Sequence, residues 1–416
     1  MVGNLTSKLS SNYSTMLTFE EKILIVDIRL FVYGWIVLPI ALIGLILNGF
    51  TVLVLLHPRM RNFSTNVYLT TLSIANMVCL LNFIFLYSLR YLVSYEYFIK
   101  NVHQPYVTDI HPYESFINLI YGIWSPIFTT FQLYAIYLTV AVTIDRWIYV
   151  TWPLKADTIC TMKNTFRAVV FIFIFCFVYN LPRWFEIESF AQVSVTNRTY
   201  YQARTTQFGK HYIFNQIMRK YGYIIFVYGL PFSILLFVNM GIVKKMIEAK
   251  KRKKNLLGQY DHSKLLIKNG IRTLHETKRT KTNKKSLMLR SSIASTFKVD
   301  RKITLMVMAV VLAFFICQFP YLVLNILATA HADTKWFHIT KPFCDLLAAL
   351  NCCINFVIYC FFGQNFRDIA RVVLFNPSFH PYNRSLYIKS QNEMIKKNSY
   401  VHTETRSAMD ANMEAV

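Results

Sequence analysis

Residues 31–56 read FVYGWIVLPIALIGLILNGFTVLVLL, twenty-six positions without a charge. A helix rises about 1.5 Å per residue, so such a run is long enough to cross a ~30 Å hydrocarbon layer. Comparable runs follow at 66–89, 116–144, 168–182, 222–243, 303–330 and 342–362, the last interrupted only by Asp345. This pattern constrains the chain more than any other feature. Within hydrocarbon each backbone N–H and C=O must find a partner inside its own segment, and a helix does that. Charged residues make up 16% of the sequence, against about 25% in soluble domains. The expected fold class is an all-α membrane protein, a bundle of seven transmembrane helices.

The fourth run is ambiguous on length, because Ala168–Leu181 gives only fourteen residues before Pro182. That length suits a core helix equally well. Charge resolves it, since short loops rich in Lys and Arg stay cytoplasmic. Arg59 and Arg61, then Lys155, Lys163 and Arg167, form two basic loops. Residues 244–302 hold nineteen Lys and Arg against four acids, and the tail beyond 363 is basic as well. Only seven crossings with the amino terminus outside put all of these on one side. The net charge of +24 therefore reflects topology and attraction to anionic lipid. No soluble basic domain is present to bind nucleic acid.

Three parts follow: an external tail (1–30), a membrane region (31–375) with a long basic internal loop (247–300), and a cytoplasmic tail (376–416). Residues 1–30 lack the basic-then-apolar pattern of a cleaved leader, so the first run is expected to serve as an uncleaved anchor. Asn4, Asn12 and Asn197 sit in glycosylation sequons on the expected outside, although Asn62 and Asn383 match the same loose motif inside. The second outer loop, about 183–220, has few breakers and is expected to contain some strand or helix. No cysteine falls in an outer loop, so no disulfide staples one. Cys and His spacings suggest no metal or cofactor site. After 363, Phe366, Ile369, Val373 and Leu374 mark a short amphipathic eighth helix.

Several stretches in register resemble the rhodopsin-like G-protein-coupled receptors. TNVYLTTLSIAN (65–76) is similar to that family's second helix, and AVTIDRWIYVTWPLKA (141–156) to its Asp-Arg-Tyr region. CQFP (317–320) stands where the sixth helix carries Cys-Trp-x-Pro, and NFVIYCFFGQNFR (355–367) where Asn-Pro-x-x-Tyr and the eighth helix are expected. WPLKADTICTMKNTFRAVV and YNLPRWFE (179–186) narrow the resemblance to invertebrate FMRFamide-type neuropeptide receptors.

The resemblance implies a latch: Arg146 pairs with Asp145 and, across to the sixth helix, with Asp300. Opened, it exposes Arg146 to a heterotrimeric G protein. The alternative is an arginine that merely snorkels to the interface. Ile136, Pro231 and Phe314 match the family's connector between outer pocket and inner face, and Asn355 and Tyr359 extend it. As single residues each is equally core packing. Departures from the pattern are informative. Asn76 replaces the second-helix aspartate and Ala135 a sodium-binding serine, which implies a hydrated polar pocket without sodium. Gln318 replaces the toggle tryptophan, Phe356 the seventh-helix proline and Tyr121 the capping cysteine.

By register, Tyr87, Phe128, Gln132, Tyr321, Asn325 and Asp345 face the ligand. Phe128 stands where amine receptors carry a carboxylate, which disfavours a biogenic amine. An amidated Arg-Phe peptide needs a carboxylate, aromatic walls and an amide partner. Asp345 and Gln132 are the candidates, with Lys341 as a competing partner of Asp345 and Glu186 and Glu188 as rival acids. Tail serines and threonines offer sites for receptor kinases and arrestin. A transporter would need mid-depth charge or repeated halves, which are not seen. A seven-helix decoy or scaffold that has lost coupling is the nearer rival. No nucleophile–base pair suggests an enzyme.

Overall fold

The computed structural model describes residues 17–103, 110–193, 197–248, 251, 304–327 and 334–375. Among these, seven helices are long and apolar enough to cross a membrane. They are α1 (Phe19–Leu55), α2 (Ser64–Val93), α3 (Pro112–Thr151), α4 (Met162–Phe185), α5 (Ile224–Glu248), α6 (Thr304–Leu327) and α7 (Lys335–Phe362). A hairpin of β1 (Ile187–Val193) and β2 (Thr199–Thr205) follows α4, and α8 (Gln364–Phe375) follows α7.

Each apolar run has its helix. The short fourth run lengthens because Thr161 caps a polar first turn, its hydroxyl accepting from the Asn164 N–H at 3.3 Å. α1 starts twelve residues before its apolar run, which turns the end of the external tail into helix. Its start is a reciprocal cap: Thr18 accepts from the Glu21 N–H at 3.2 Å and the Glu21 carboxylate accepts from the Thr18 N–H at 2.9 Å.

Two buried clusters fill the bundle. One joins α1, α2 and α7 through Val32, Val37, Leu80, Phe83 and Ala349. The other joins α2 and α3 to α5, α6, α7 and α8 through residues such as Leu69, Leu133, Leu235, Phe314, Tyr359 and Phe366. Trp35, Ile46, Phe171 and Phe237 are each at least 66% exposed, the reverse of a soluble core and suited to lipid. α8 packs through Phe366, Ile369 and Ala370, while Leu374 is exposed. Phe356, in the place of a helix-kinking proline, stacks edge-on against Phe50 of α1 and Phe366 of α8, both at 6.0 Å.

The outer loop contains strand, as its lack of breakers suggests. All eight cysteines are free thiols, and the hairpin is held to α3 by other means. Ser189 donates to the Asn118 carbonyl at 2.5 Å, and Asn118 donates to the Tyr201 carbonyl at 3.2 Å. Tyr201 N–H reaches Ser115 Oγ at 2.9 Å. Gly122 allows the close approach, since a Cβ there would lie 2.9 Å from the Ile187 carbonyl oxygen. Nearby, Arg90 of α2 donates to both carboxylate oxygens of the buried Glu114 of α3, at 2.7–3.0 Å. These contacts fasten the hairpin to α3 and α3 to α2.

Candidate ligand cavity and cytoplasmic switch

A cavity of about 430 Å³ opens among α1, α2, α3, the end of α4, α6 and α7. Tyr87, Phe128, Gln132, Tyr321, Asn325 and Asp345 all line it. So do Tyr33, Tyr91, Tyr121 and Tyr223, which sequence reading did not single out as pocket residues. Two widened π-helical segments, Leu30–Val37 in α1 and Phe83–Ser88 in α2, carry Tyr33, Phe83 and Tyr87. Such turns cluster at functional sites because they rotate side chains out of the regular helical register. The rings pack on one another, Tyr33 lying 5.0 Å from Tyr87 and 5.5 Å from Tyr91. The result is a wall of aromatic faces and hydroxyls.

Asp345 is buried, and its Oδ2 accepts from Lys341 Nζ and from the Tyr33 hydroxyl, both at 2.6 Å. The Lys341 partnership thus exists in the structure. Lys341 also lies 5.2 Å from the Tyr87 ring centroid. Glu186 and Glu188 do not line the cavity; Glu188 pairs with Arg204 across the hairpin at 2.6 Å. Asn325 gives one amide N–H to the Tyr321 carbonyl at 2.7 Å, which leaves its second N–H and its side-chain carbonyl oxygen to offer a ligand.

Below lies a second, small space of about 30 Å³ lined by Asn76, Gln318, Asn351 and Asn355 with Ile136 and Phe314. Phe83, Phe128, Gln132 and Ala348 border both spaces, so Gln132 stands between them. Asn76 Nδ2 and Gln318 Oε1 are buried without a protein partner among the described residues. The space is large enough for one ordered water, and its amides offer that water hydrogen-bond partners. The amides offer no carboxylate to a hard cation.

Ile136, Phe314 and Pro231 are all buried. Phe232, next to Pro231, lies edge-on to Phe314 at 5.4 Å and to Phe315 at 4.8 Å, and so joins α5 to α6. Sequence reading missed Phe232, whose apolar character does not distinguish it from core. Asn355 is buried beside the polar space, and Tyr359 is buried against Phe366 at 5.8 Å.

At the far end of α3, Asp145 accepts from Ser64 at 3.1 Å and from Thr65 at 2.8 Å, both in the first turn of α2. Arg146 donates to the same carboxylate at 2.8 Å and also to the Thr65 hydroxyl. Its guanidinium lies 4.4 Å from the Tyr149 ring centroid. Arg146 is therefore folded back onto its own helix and α2. Asp300, the second expected partner, lies outside the described residues, as do Asn4 and Asn12. Asn197 is exposed in the hairpin turn with φ of 59°, a left-handed conformation that Asn tolerates.

An outer cavity, a polar middle and a paired arginine at the inner end of the third of seven helices define a seven-helix receptor. Residues 48–359 match the 7 transmembrane receptor (rhodopsin family), and the chain belongs to that family. Among individual relatives it is similar to the FMRFamide receptor of Drosophila melanogaster, 25% identical over 359 residues, covering 84% of this chain and 54% of that protein. An FMRFamide peptide receptor of Caenorhabditis elegans is 28% identical over 226 residues, covering 54% and 48%. The thyrotropin-releasing hormone receptor of Gallus gallus is 25% identical over 343 residues, covering 80% and 76%. The chain spans about half the length of the two FMRFamide receptors.

Proposed function

We propose that this receptor binds an extracellular peptide, of the amidated Arg-Phe type, and activates a heterotrimeric G protein at the plasma membrane. One observation carries the reading: the six register-matched residues line a single open cavity whose floor leads through Gln132 toward the connector. The names of the FMRFamide relatives support the ligand class. The tyrosine walls suit a phenylalanine ring. Gln132 can both donate to and accept from a terminal carboxamide.

Asp345 is the partner for the peptide's guanidinium, and Lys341 competes for it. A planar guanidinium binds a carboxylate through two parallel bonds where an ammonium offers a point charge, so exchange is favourable once Lys341 swings aside. Asp345→Asn should weaken Arg-bearing peptides by roughly tenfold while leaving their citrulline counterparts little changed, because charge-assisted hydrogen bonds contribute about 1.5–3 kcal/mol. Lys341→Met should act oppositely and favour the Arg-bearing member. Competition binding on both variants checks this. Equal losses for arginine and citrulline peptides in Asp345→Asn would remove Asp345 from the site.

On the inner side, freeing Arg146 from Asp145 and Thr65 presents it to the G protein. Serines and threonines of the cytoplasmic tail, outside the described residues, are the sites for receptor kinases and arrestin.

A further inference from the structure

Four cationic side chains line the outer cavity, Arg29, Arg90, Arg183 and Lys341, against one carboxylate, Asp345. Two of the four are neutralised locally. Lys341 pairs with Asp345 at 2.6 Å, and Arg90 with the buried Glu114 at 2.7 Å. Arg29 and Arg183 have no carboxylate partner among the described residues. Among the described residues, Arg29 reaches the Tyr91 hydroxyl and Nδ1 of His338, each at 3.1 Å. Arg183 lies 5.6 Å from the Tyr223 ring centroid, and its buried Nε has no hydrogen-bond partner among the described residues.

The two come from separate elements, α1 and the turn Leu181–Phe185 that ends α4. Both are half-buried. A guanidinium against low-dielectric walls interacts with a counter-charge far more strongly than one in water. Its planar fork of donors matches an oxyanion such as a carboxylate or sulfate. A cleft whose fixed charges are mostly of one sign also draws in ligands of the other.

We propose that Arg29 and Arg183 form an anion-binding wall of the cavity, and that the peptide carries an oxyanion alongside its aromatic residues. The inference rests on the peptide-receptor reading above. It names a second charge on the ligand, opposite in sign to the arginine assigned to Asp345. An amidated peptide has no terminal carboxylate, so its anion is an Asp, Glu or sulfated Tyr side chain. A non-amidated peptide supplies its own C-terminus.

The test is binding to purified full-length receptor, read as a shift in melting temperature and so independent of coupling. The probes are hexapeptides ending Arg-Phe-NH₂ with Glu or Gln at each preceding position, the same peptides as free acids, and sodium sulfate against sodium chloride at equal ionic strength. The expected result is a Glu member at least about tenfold tighter than its Gln partner, from the strength of a charge-assisted bond. That preference should fall to near one in Arg183→Gln or Arg29→Gln and persist in Arg183→Lys. A preference for free acid over amide that vanishes in the same variants assigns the C-terminus as the source. Glu/Gln and acid/amide pairs that bind alike, or preferences unchanged in both variants, overturn the proposal. If no peptide shifts the wild type, the peptide reading fails by itself. Sulfate then decides the wall: it stands if sulfate stabilises the wild type more than the Arg29→Gln/Arg183→Gln double variant, and falls if the two respond alike.

Discussion

Asp145→Ala is expected to raise ligand-independent signalling several-fold and to lower the melting temperature of the receptor. The carboxylate is only 5% exposed and receives Ser64, Thr65 and Arg146 at 2.8–3.1 Å, which ties the start of α2 to the inner end of α3. Removing it leaves a part-buried guanidinium without its counter-charge and two hydroxyls without their carboxylate acceptor. Breaking a buried ion pair in this way costs about 3–5 kcal/mol. The same loss releases Arg146, the group assigned to the G protein, from its own helix. Asp145→Asn keeps the shape and an acceptor oxygen, so its effect should be smaller. Basal second-messenger production normalised to surface receptor measures this. An expressed Asp145→Ala receptor with wild-type basal output would show that the cluster is purely structural.

Gly44→Leu is expected to leave almost no mature receptor at the surface. At Gly44, α1 meets α2 and α7 so closely that a Cβ would lie 2.3 Å from Cys353 Sγ and 2.9 Å from Leu80 Cδ1. Asn48 fixes the same contact by donating to the Gly44 carbonyl at 2.8 Å and to the Cys352 carbonyl across in α7 at 2.9 Å. Small residues let helix backbones approach in this way within membranes. Overpacking a filled core costs about 1–3 kcal/mol even for added methylenes, and a leucine adds a whole side chain. Gly44→Ala should show a milder defect. Gly49→Ala on the same helix, where a Cβ meets nothing within 4 Å, is the matched control. Equal surface levels for Gly44→Leu and Gly49→Ala would refute the packing argument.

The spans are legible in the sequence because hydrocarbon allows so few backbone solutions, and loop charge then orients them. The early start of α1 is legible too, in Thr18 and Glu21 three residues apart, a cap that lies in a polar stretch outside the apolar run. Six pocket positions came through the family register and all reach one cavity. What they touch did not come with them. The hold of Lys341 on Asp345 spans one turn of helix and is legible in the sequence, whereas the Tyr33 hydroxyl, 312 positions distant, is not. Arg29 and Arg183 were invisible for the same reason: only the fold brings α1 and the end of α4 to one space. The π-helical segments have no residue signature to read. Ser64 and Thr65 look like ordinary helix-start residues until α3 presents Asp145 to them.

Control of Arg146 at the inner face by the outer cavity can be read in one paired measurement. Cells expressing the wild type or Arg146→Ala at matched surface density are exposed to a panel of amidated peptides, with readouts for several G-protein classes. At least one peptide is expected to activate the wild type at submicromolar concentration, with a response that disappears in Arg146→Ala while binding of that peptide persists. A peptide that binds the wild type yet evokes no G-protein response, or a response undiminished in Arg146→Ala, would contradict that control.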